Sequence, residues 1–232
     1  MTTILTRQEL EIPRNAGEML PWIDQTHGRF NTKTLRAEAR EGKHLANELI
    51  LEGRPMALFA YRYFEASQQV IITHVIGSQN YDGIVEDHRE KPGDIRFLEV
   101  TTTLRTYEDS LRIEKLSQSG HVPAYGRVTA IGPKQSRVGI VAEDIAHEHS
   151  KIRSEHLQLV ENAVRRKATK KYRPGTALIV AVDDAVPFRE QADVTALRAL
   201  AKGTLIPLLS NTNFTMLALE GSNHVHETFS LP

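Results

Sequence analysis

The run from Thr176 to Asp184, TALIVAVDD, constrains the fold more than any other stretch of the chain. Its centre is entirely apolar, and turn-forming residues stand on both sides of it. A strand that is apolar on both faces lies between two layers of other elements, so the run predicts a central strand of an α/β sheet. Asp183 and Asp184 follow at the strand end. Such ends face ligand crevices in open sheets, but a turn explains an Asp-Asp pair as well, and we favour the turn.

Helical and strand patterns alternate through the rest of the chain. A pattern rich in helix formers spans residues 34–53 and predicts a helix that stops at Gly53. Strands are predicted at 70–76 and in a hairpin over 82–100, and helices at 107–116 and 145–172. The apolar stretch 56–64 fits either a strand or a buried helix. This order predicts an α/β fold with a mixed central β-sheet flanked by helices.

We expect a single domain over residues 1–232. Its core spans about 34–185, after an irregular or short-strand lead-in at 1–30 and before a helix-strand extension at 186–232.

Charge and cysteine content limit the function classes. The chain has 29 basic and 29 acidic residues, so no overall positive field attracts nucleic acid, and any such binding must be local. It contains no cysteine, which excludes disulfides and thiolate metal sites. The first residues lack a signal-peptide pattern, and no run approaches the length of a membrane span. We therefore expect a cytoplasmic protein with no membrane partner.

Two acidic residues stand on the strands of the predicted hairpin, in the stretch NYDGIVEDHREKPGDIRFLEVTTT. Asp82 opens the first strand and Glu99 lies late in the second, with a Pro-Gly reversal between them. A carboxylate in such an apolar strand needs a counter-charge or a metal. The hairpin therefore predicts a site built around these two acids.

This arrangement resembles the PD-(D/E)XK superfamily of restriction-endonuclease-like nucleases. An Asp at the start of one strand and a Glu-Val dipeptide 17 residues later, between two helices, carry the resemblance. It implies that Asp82, Glu99 and the Val100 carbonyl bind a divalent metal, Mg²⁺ or Mn²⁺, and that Glu48 on the first helix joins them. Thr101 stands at the catalytic position where the family has Lys. For Glu48, a solvated helix surface is the alternative.

A cation from elsewhere must then replace the missing Lys. Lys115 on the helix after the hairpin and Lys167 on the long helix are the candidates. The same long helix ends in the densest basic cluster of the chain, which consists of Arg165, Arg166, Lys167, Lys170 and Lys171. This cluster either binds nucleic-acid phosphates or complements the partial negative charge of the helix C-terminus.

The sequence therefore predicts a metal-dependent, nuclease-like protein that hydrolyses phosphodiester bonds, with DNA favoured over RNA as the partner. A homodimer is compatible with this prediction. The alternative is a non-catalytic nucleic-acid-binding or assembly module that retains the fold. A third hypothesis is a metal enzyme that uses His224 and His226, but no third ligand is indicated. His74, inside a predicted strand, is interpreted as a core residue.

Overall fold

We analysed a computed structural model of the protein. It describes residues 4–40, 43–103, 106–123, 126–132, 138–143 and 148–232. No helix in the described ranges is long and apolar enough to cross a membrane.

Seven strands form one mixed sheet, and two more form a separate hairpin. In chain order the strands are β1 (Arg14–Asn15), β2 (Val70–His74), β3 (Gly83–Asp87), β4 (Phe97–Thr102), β5 (Val128–Ile131), β6 (Gly139–Ala142), β7 (Thr176–Val182), β8 (Phe214–Gly221) and β9 (His226–Ser230). The α-helices are α1 (Arg7–Leu10), α2 (Ala16–Gly28), α3 (Lys33–Arg40), α4 (Arg54–Tyr63), α5 (Thr106–Ser119), α6 (His149–Ala168), α7 (Gln191–Leu200) and α8 (Ile206–Leu209). The described residues also contain a 3₁₀ turn (Lys43–Leu45) and two π-helical segments (Glu48–Gly53 and Ala201–Leu205).

The large sheet has the order β1-β2-β3-β4-β7-β8-β9. Strands β1 to β4 pair antiparallel, β4, β7 and β8 are parallel, and β9 returns antiparallel to β8. The parallel pairing of β4 with β7 requires a long crossover, and α6 lies within it. The predicted α/β class with a mixed central sheet is therefore confirmed.

A hydrophobic core lies on each face of this sheet, as the apolar run in β7 predicts. Residues that alternate along β7 point to opposite faces: Ala177 and Ile179 belong to the core with α2 and α4, whereas Leu178 and Val180 belong to the core with α6 and α7. Gly175 lets the chain turn into this strand. Its φ is +79°, and a Cβ there would lie 2.8 Å from the Asp94 carbonyl oxygen.

Two local expectations differ from the structure. The lead-in contains the helix α2, which packs on α4 and buries Met19 and Ile23 in the first core, instead of being irregular. Gly53 does not stop its helix, because its φ of −62° is helical and the chain continues through a π-helical segment into α4. The stretch 56–64, which fitted either structure, is the buried helix α4.

Helix α5 packs on the β5–β6 hairpin rather than within the main sheet. Leu111, Val128 and Ile140 form a small separate cluster there. The predicted long helix is observed as α6, and residues 145–147 of that prediction lie outside the described residues.

Candidate active site

The register of β3 and β4 brings Asp82 and Glu99 together. Gly83 pairs with Leu98, so the next position along each strand places Asp82 opposite Glu99. Side chains directly opposite on antiparallel strands share a face, with Cβ atoms about 5 Å apart. The neighbours Leu98 and Val100 point into the first core, so Glu99 points to the other face of the sheet, which α6 covers.

Asp82 lies just before β3 and is fixed by the backbone of the neighbouring strand. Its Oδ2 accepts a hydrogen bond from the Val100 N–H at 2.7 Å, and its own N–H donates to the Leu98 carbonyl. Both contacts hold the carboxylate beside β4. Val100 thus contributes its amide to the arrangement, and the role of its carbonyl as a metal ligand stays a prediction.

Glu99 is buried, with 5% of its surface exposed, and two side chains from the α6 side donate to the same oxygen. The Lys167 ammonium is in contact with Oε1 of Glu99. The Tyr172 hydroxyl donates to the same Oε1 at 3.3 Å. Lys167 lies three, four and seven residues after Val164, Ala163 and Val160, which are all fully buried. It is therefore the cation of the basic cluster that helical spacing turns inward.

One oxygen of each acid remains available. Both donors on Glu99 use Oε1, and the Val100 amide uses Oδ2 of Asp82. Within the described part of the chain, neither Oε2 of Glu99 nor Oδ1 of Asp82 has a hydrogen-bond donor. The pair thus has one positively charged side chain near two carboxylates and spare capacity to bind a cation.

The electrostatics of Asp82 reflect this incomplete neutralisation. Burial raises the pKa of Asp82 to about 7, and the nearby carboxylates of Glu99 and Glu52 add to the rise. The Val100 amide and Lys167 oppose it but do not cancel it. Burial, followed by the proximity of Glu99, also raises the pKa of Tyr172, so its hydroxyl stays a hydrogen-bond donor at neutral pH.

Glu52 is the helical acid that influences Asp82, and the metal-binding role of Glu48 stays a prediction. The helix continues through Gly53, so the end of the π-helical segment, not its start, lies beside the end of β2. There the Glu52 carboxylate is 3.6 Å from Nε2 of His74. His74 is buried as expected, but neither ring nitrogen has a hydrogen-bond partner among the described residues.

Thr101 and Lys115, the remaining candidate catalytic residues, supply no charge in contact with Asp82 or Glu99 within the described ranges. Thr101 is buried two positions after Glu99 on β4 and supplies no charge. Lys115 lies on α5, which packs against the β5–β6 hairpin, and no contact joins it to either acid in the described residues. Lys167 is the cation that reaches Glu99.

The other members of the basic cluster face solvent. Arg165, Arg166, Lys170 and Lys171 are exposed, and Arg165 forms an ion pair with Glu161 one turn earlier in α6. An exposed pair of this kind contributes little to stability. The cluster therefore presents its charge to solvent on the helix that carries Lys167, and its contact with phosphates stays a prediction.

His224 and His226 do not form a metal pair. Nε2 of His224 is 2.6 Å from the Phe188 carbonyl, and Nδ1 of His226 is 2.5 Å from Glu220. The two rings thus serve different partners. Asp183 accepts from the Ala185 N–H, as the favoured turn predicts, whereas Asp184 is buried and binds backbone amides of residues 223–225.

The Asp82–Glu99 pair offers a magnesium ion suitable carboxylate oxygens but fewer side-chain ligands than a complete protein metal site. In the described ranges, no group of three His, Asp or Glu side chains is arranged to hold a metal. Mg²⁺, however, commonly binds through one or two carboxylates and completes its shell with water and substrate phosphate. The two free carboxylate oxygens are enough for this mode of binding. The raised pKa of Asp82 shows that its negative charge is unfavourable here, and a bound cation would offset that charge.

Sequence reasoning missed Tyr172 and Glu52 as part of this site. Tyr172 stands at the end of the basic run, where an aromatic residue gives no signal of its own. Glu52 lies one helical turn after Glu48, so only the continuation of the helix past Gly53 distinguishes the two. A search of family models, of curated proteins and of solved structures finds no match to this chain.

Proposed function

We propose that the protein is a metal-dependent, nuclease-like enzyme with a restriction-endonuclease-like core and a relocated lysine. The order of elements supports the fold. Helix α4 precedes the antiparallel strands β2, β3 and β4, and β7 then pairs parallel to β4 after α6. The resemblance drawn from Asp82 and Glu99 depends on this order of strands and helices.

The observation on which the proposal rests is the contact of Lys167 with Glu99. The chain has Thr101 where the motif has Lys, and an ammonium from α6 reaches the same cluster from the other side. A lysine that approaches the acids from a helix supplies the charge that the strand position lacks. Degeneracy of the motif at Thr101 therefore does not remove the cation from the site.

Each residue of the candidate active site has a separate role in this proposal. Asp82 and Glu99 would hold Mg²⁺ or Mn²⁺ through their free oxygens, and the bound ion would polarise the phosphoryl oxygen and activate water. Lys167 would stabilise negative charge that develops on the phosphate, since ammonium groups in a water-poor site act strongly on such charge. Tyr172 orients Glu99 by its hydrogen bond to Oε1. The exposed cations at the end of α6 would contact phosphates along the nucleic-acid backbone.

A cleavage assay tests the assignment of Lys167. Purified protein with Mn²⁺ or Mg²⁺ is incubated with plasmid DNA, single-stranded DNA and RNA, and cleavage is compared with that by Lys167→Met. We expect a loss of about 100-fold or more, the size of effect that follows removal of one group that stabilises transition-state charge. Lys151→Met, at an exposed lysine near the start of the same helix and outside the basic cluster, is the matched control and should keep activity within a few-fold.

Two outcomes would reject the catalytic proposal. One is an absence of metal-dependent cleavage of all three substrates, and the other is equal activity of Lys167→Met and wild type. Asp82→Asn provides a second variant should Lys167→Met fold poorly, because Asn has the same shape and can still accept from the Val100 amide.

A non-catalytic nucleic-acid-binding module is the second candidate function. The exposed cations Arg166, Lys170 and Lys171 favour it, because surface charge alone is enough for contacts with phosphates. In that case the cleavage assay would give no product, a gel-shift measurement would show binding of DNA or RNA, and Asp82→Asn would bind as tightly as the wild type.

A further inference from the structure

A cavity lies on the side of the sheet opposite Glu99. It is a cleft of about 360 Å³ at the carboxyl ends of β4, β7 and β8. Its walls come from α2, the π-helical segment before α4, and α4 itself, on the side of the first core. In open α/β sheets, ligands bind outside the carboxyl ends of the parallel strands. The cleft therefore has both the position and the volume of a small-molecule site.

The lining of the cleft is mostly apolar. Leu49, Ile50, Pro55 and Leu58 form the helical wall, and Thr102 and Ser222 place hydroxyl groups at the strand ends. A wall of this kind binds an apolar or aromatic body, while a few polar groups fix its orientation.

Arg54 is the charged residue of the cleft whose bonding capacity is unmet. Its Nη1 is shielded from solvent and has no hydrogen-bond partner among the described residues. Arg54 forms an ion pair with Asp24, but Oδ1 of Asp24 lies 3.5 Å from that nitrogen, which is longer than the 2.7–2.9 Å typical of a charge-assisted hydrogen bond. A buried donor without an acceptor is costly, so a ligand that supplies one would be stabilised here.

The acidic residues of the cleft are already engaged. Glu220 is fully buried and is bound by Arg62 and His226. Asp183 is exposed at the strand end and accepts from the Ala185 N–H. Neither acid supplies a hydrogen bond to Arg54, and the unmet capacity of the cleft is that of a cation.

We propose that this cleft binds a small amphipathic anion, whose apolar or aromatic body lies against the helical wall and whose phosphate or carboxylate group accepts from Arg54. The geometry matches a free nucleotide and a medium-chain carboxylate equally, because both join an anionic group to an apolar body. This site does not depend on the proposed nuclease activity, since Asp82, Glu99 and Lys167 are not among its lining residues.

Thermal unfolding with defined probes tests the proposal. Adenosine 5′-monophosphate represents the nucleotide source and octanoate the carboxylate source, each titrated into the whole protein without divalent metal. At a concentration 100-fold above its Kd, the bound anion should raise Tm by roughly 5–10 °C. Adenosine lacks the anion and inorganic phosphate lacks the body, so each should shift Tm less than the nucleotide does. Which of the two amphipathic probes is effective identifies the source.

Variants locate the binding. Arg54→Gln should weaken the effective probe at least about tenfold, as expected for the loss of a hydrogen bond to a charged group. Ser222→Trp, at an exposed turn, should block the cleft without loss of a core contact. Lys202→Gln removes an exposed cation outside the cleft and should leave the shift unchanged. Asp82→Asn should also keep it, which separates this site from the candidate active site.

Two results would overturn the inference. The first is that neither probe raises Tm at millimolar concentration. The second is that the shift survives undiminished in both Arg54→Gln and Ser222→Trp, which would place the anion elsewhere on the protein.

Discussion

Two clusters of buried charge lie at different places in the sheet, and they are neutralised to different degrees. Glu220, on β8, has a fully buried side chain, and both of its oxygens are bound, one by Arg62 at 3.0 Å and the other by His226 at 2.5 Å. Glu99, on β4, receives both of its donors on one oxygen, and Asp82 stands opposite it with little compensation. The first cluster is saturated, whereas the second is not.

The saturated cluster extends to Asp184 and joins β7 to the turn between β8 and β9. Burial alone would raise the pKa of Asp184, but the backbone amides of Val225, His224 and Asn223 hold it below its ordinary value. Arg62 also donates to the carbonyls of Gly221 and Val225. These bonds hold the turn between β8 and β9, so the charges of this cluster stabilise the fold.

The comparison shows how burial and function separate. A buried acid with every oxygen bound stabilises one conformation and has no capacity for a ligand. A buried acid pair with free oxygens and a raised pKa costs stability, and such groups gather at functional sites. By this criterion the Asp82–Glu99 pair is the functional candidate and the Glu220 cluster is not.

The largest expected loss of stability comes from a substitution that disrupts the saturated cluster. Arg62→Met leaves the fully buried Glu220 without its main counter-charge, and we expect a loss of about 3–5 kcal/mol in the free energy of unfolding. Urea denaturation measures it. Arg198→Met is the matched control, because Arg198 pairs with Glu227 near the surface and its loss should destabilise the protein far less than Arg62→Met does. Equal losses in the two variants would remove the distinction between the clusters.

A smaller expected effect is the pH dependence of stability caused by the raised pKa of Asp82, in contrast to the lowered pKa of Asp184 in the saturated cluster. The pKa of Asp82 is about 7 in the folded protein and near 3.8 when unfolded, so the folded state holds the extra proton between these values. The contribution of Asp82 to stability should therefore fall as pH rises from 4 to 7, and its penalty should be complete above pH 7. Asp82→Asn removes the penalty and should be more stable than wild type at pH 8, by roughly 2 kcal/mol after allowance for solvent screening.

Stability curves at pH 4 and pH 8 provide the check. At pH 4 the two proteins should be nearly equal, because Asp82 is then protonated and resembles Asn. An advantage for Asp82→Asn that is the same at both pH values would show that Asp82 is not strained by its neighbours.

The smallest expected effect is stabilisation by metal. At tenfold above its Kd, Mn²⁺ should raise the Tm of the wild-type protein by roughly 3–6 °C, since it neutralises the two facing carboxylates. Asp82→Asn should lose this shift, whereas Glu220→Gln should keep it at its own lower Tm. A shift that persists in Asp82→Asn would place the ion outside the candidate active site.

Local patterns in the sequence predict most of the sheet. The apolar run around Ile179 and the Pro-Gly reversal between Asp82 and Glu99 depend on neighbouring residues alone, and both appear in the structure where the pattern places them. Strand alternation also separates Leu98 and Val100 from Glu99. These features are local because side-chain direction in a strand alternates with a period of two.

The composition of the site is less accessible because it depends on contacts between distant segments. Lys167 is one of five cations in a short run, and only its spacing from Val160 and Val164 distinguishes it from the others. Glu52 lies beside His74 at the end of β2 because the helix passes through Gly53 instead of ending there, which glycine's low helix propensity argues against. Tertiary packing overrides that propensity, and α2 packs against the resulting helix.

The parallel pairing of β4 with β7 has a consequence for how the protein is made. Phe97 pairs with Thr176, so the strand that pairs with β4 lies about 80 residues later in the chain. Closing so long a loop slows folding. During synthesis the acids emerge from the ribosome well before Lys167 and Tyr172. The candidate active site is therefore completed only after most of the chain has been translated, and a product truncated before α6 would contain both acids but neither of the donors that hold Glu99.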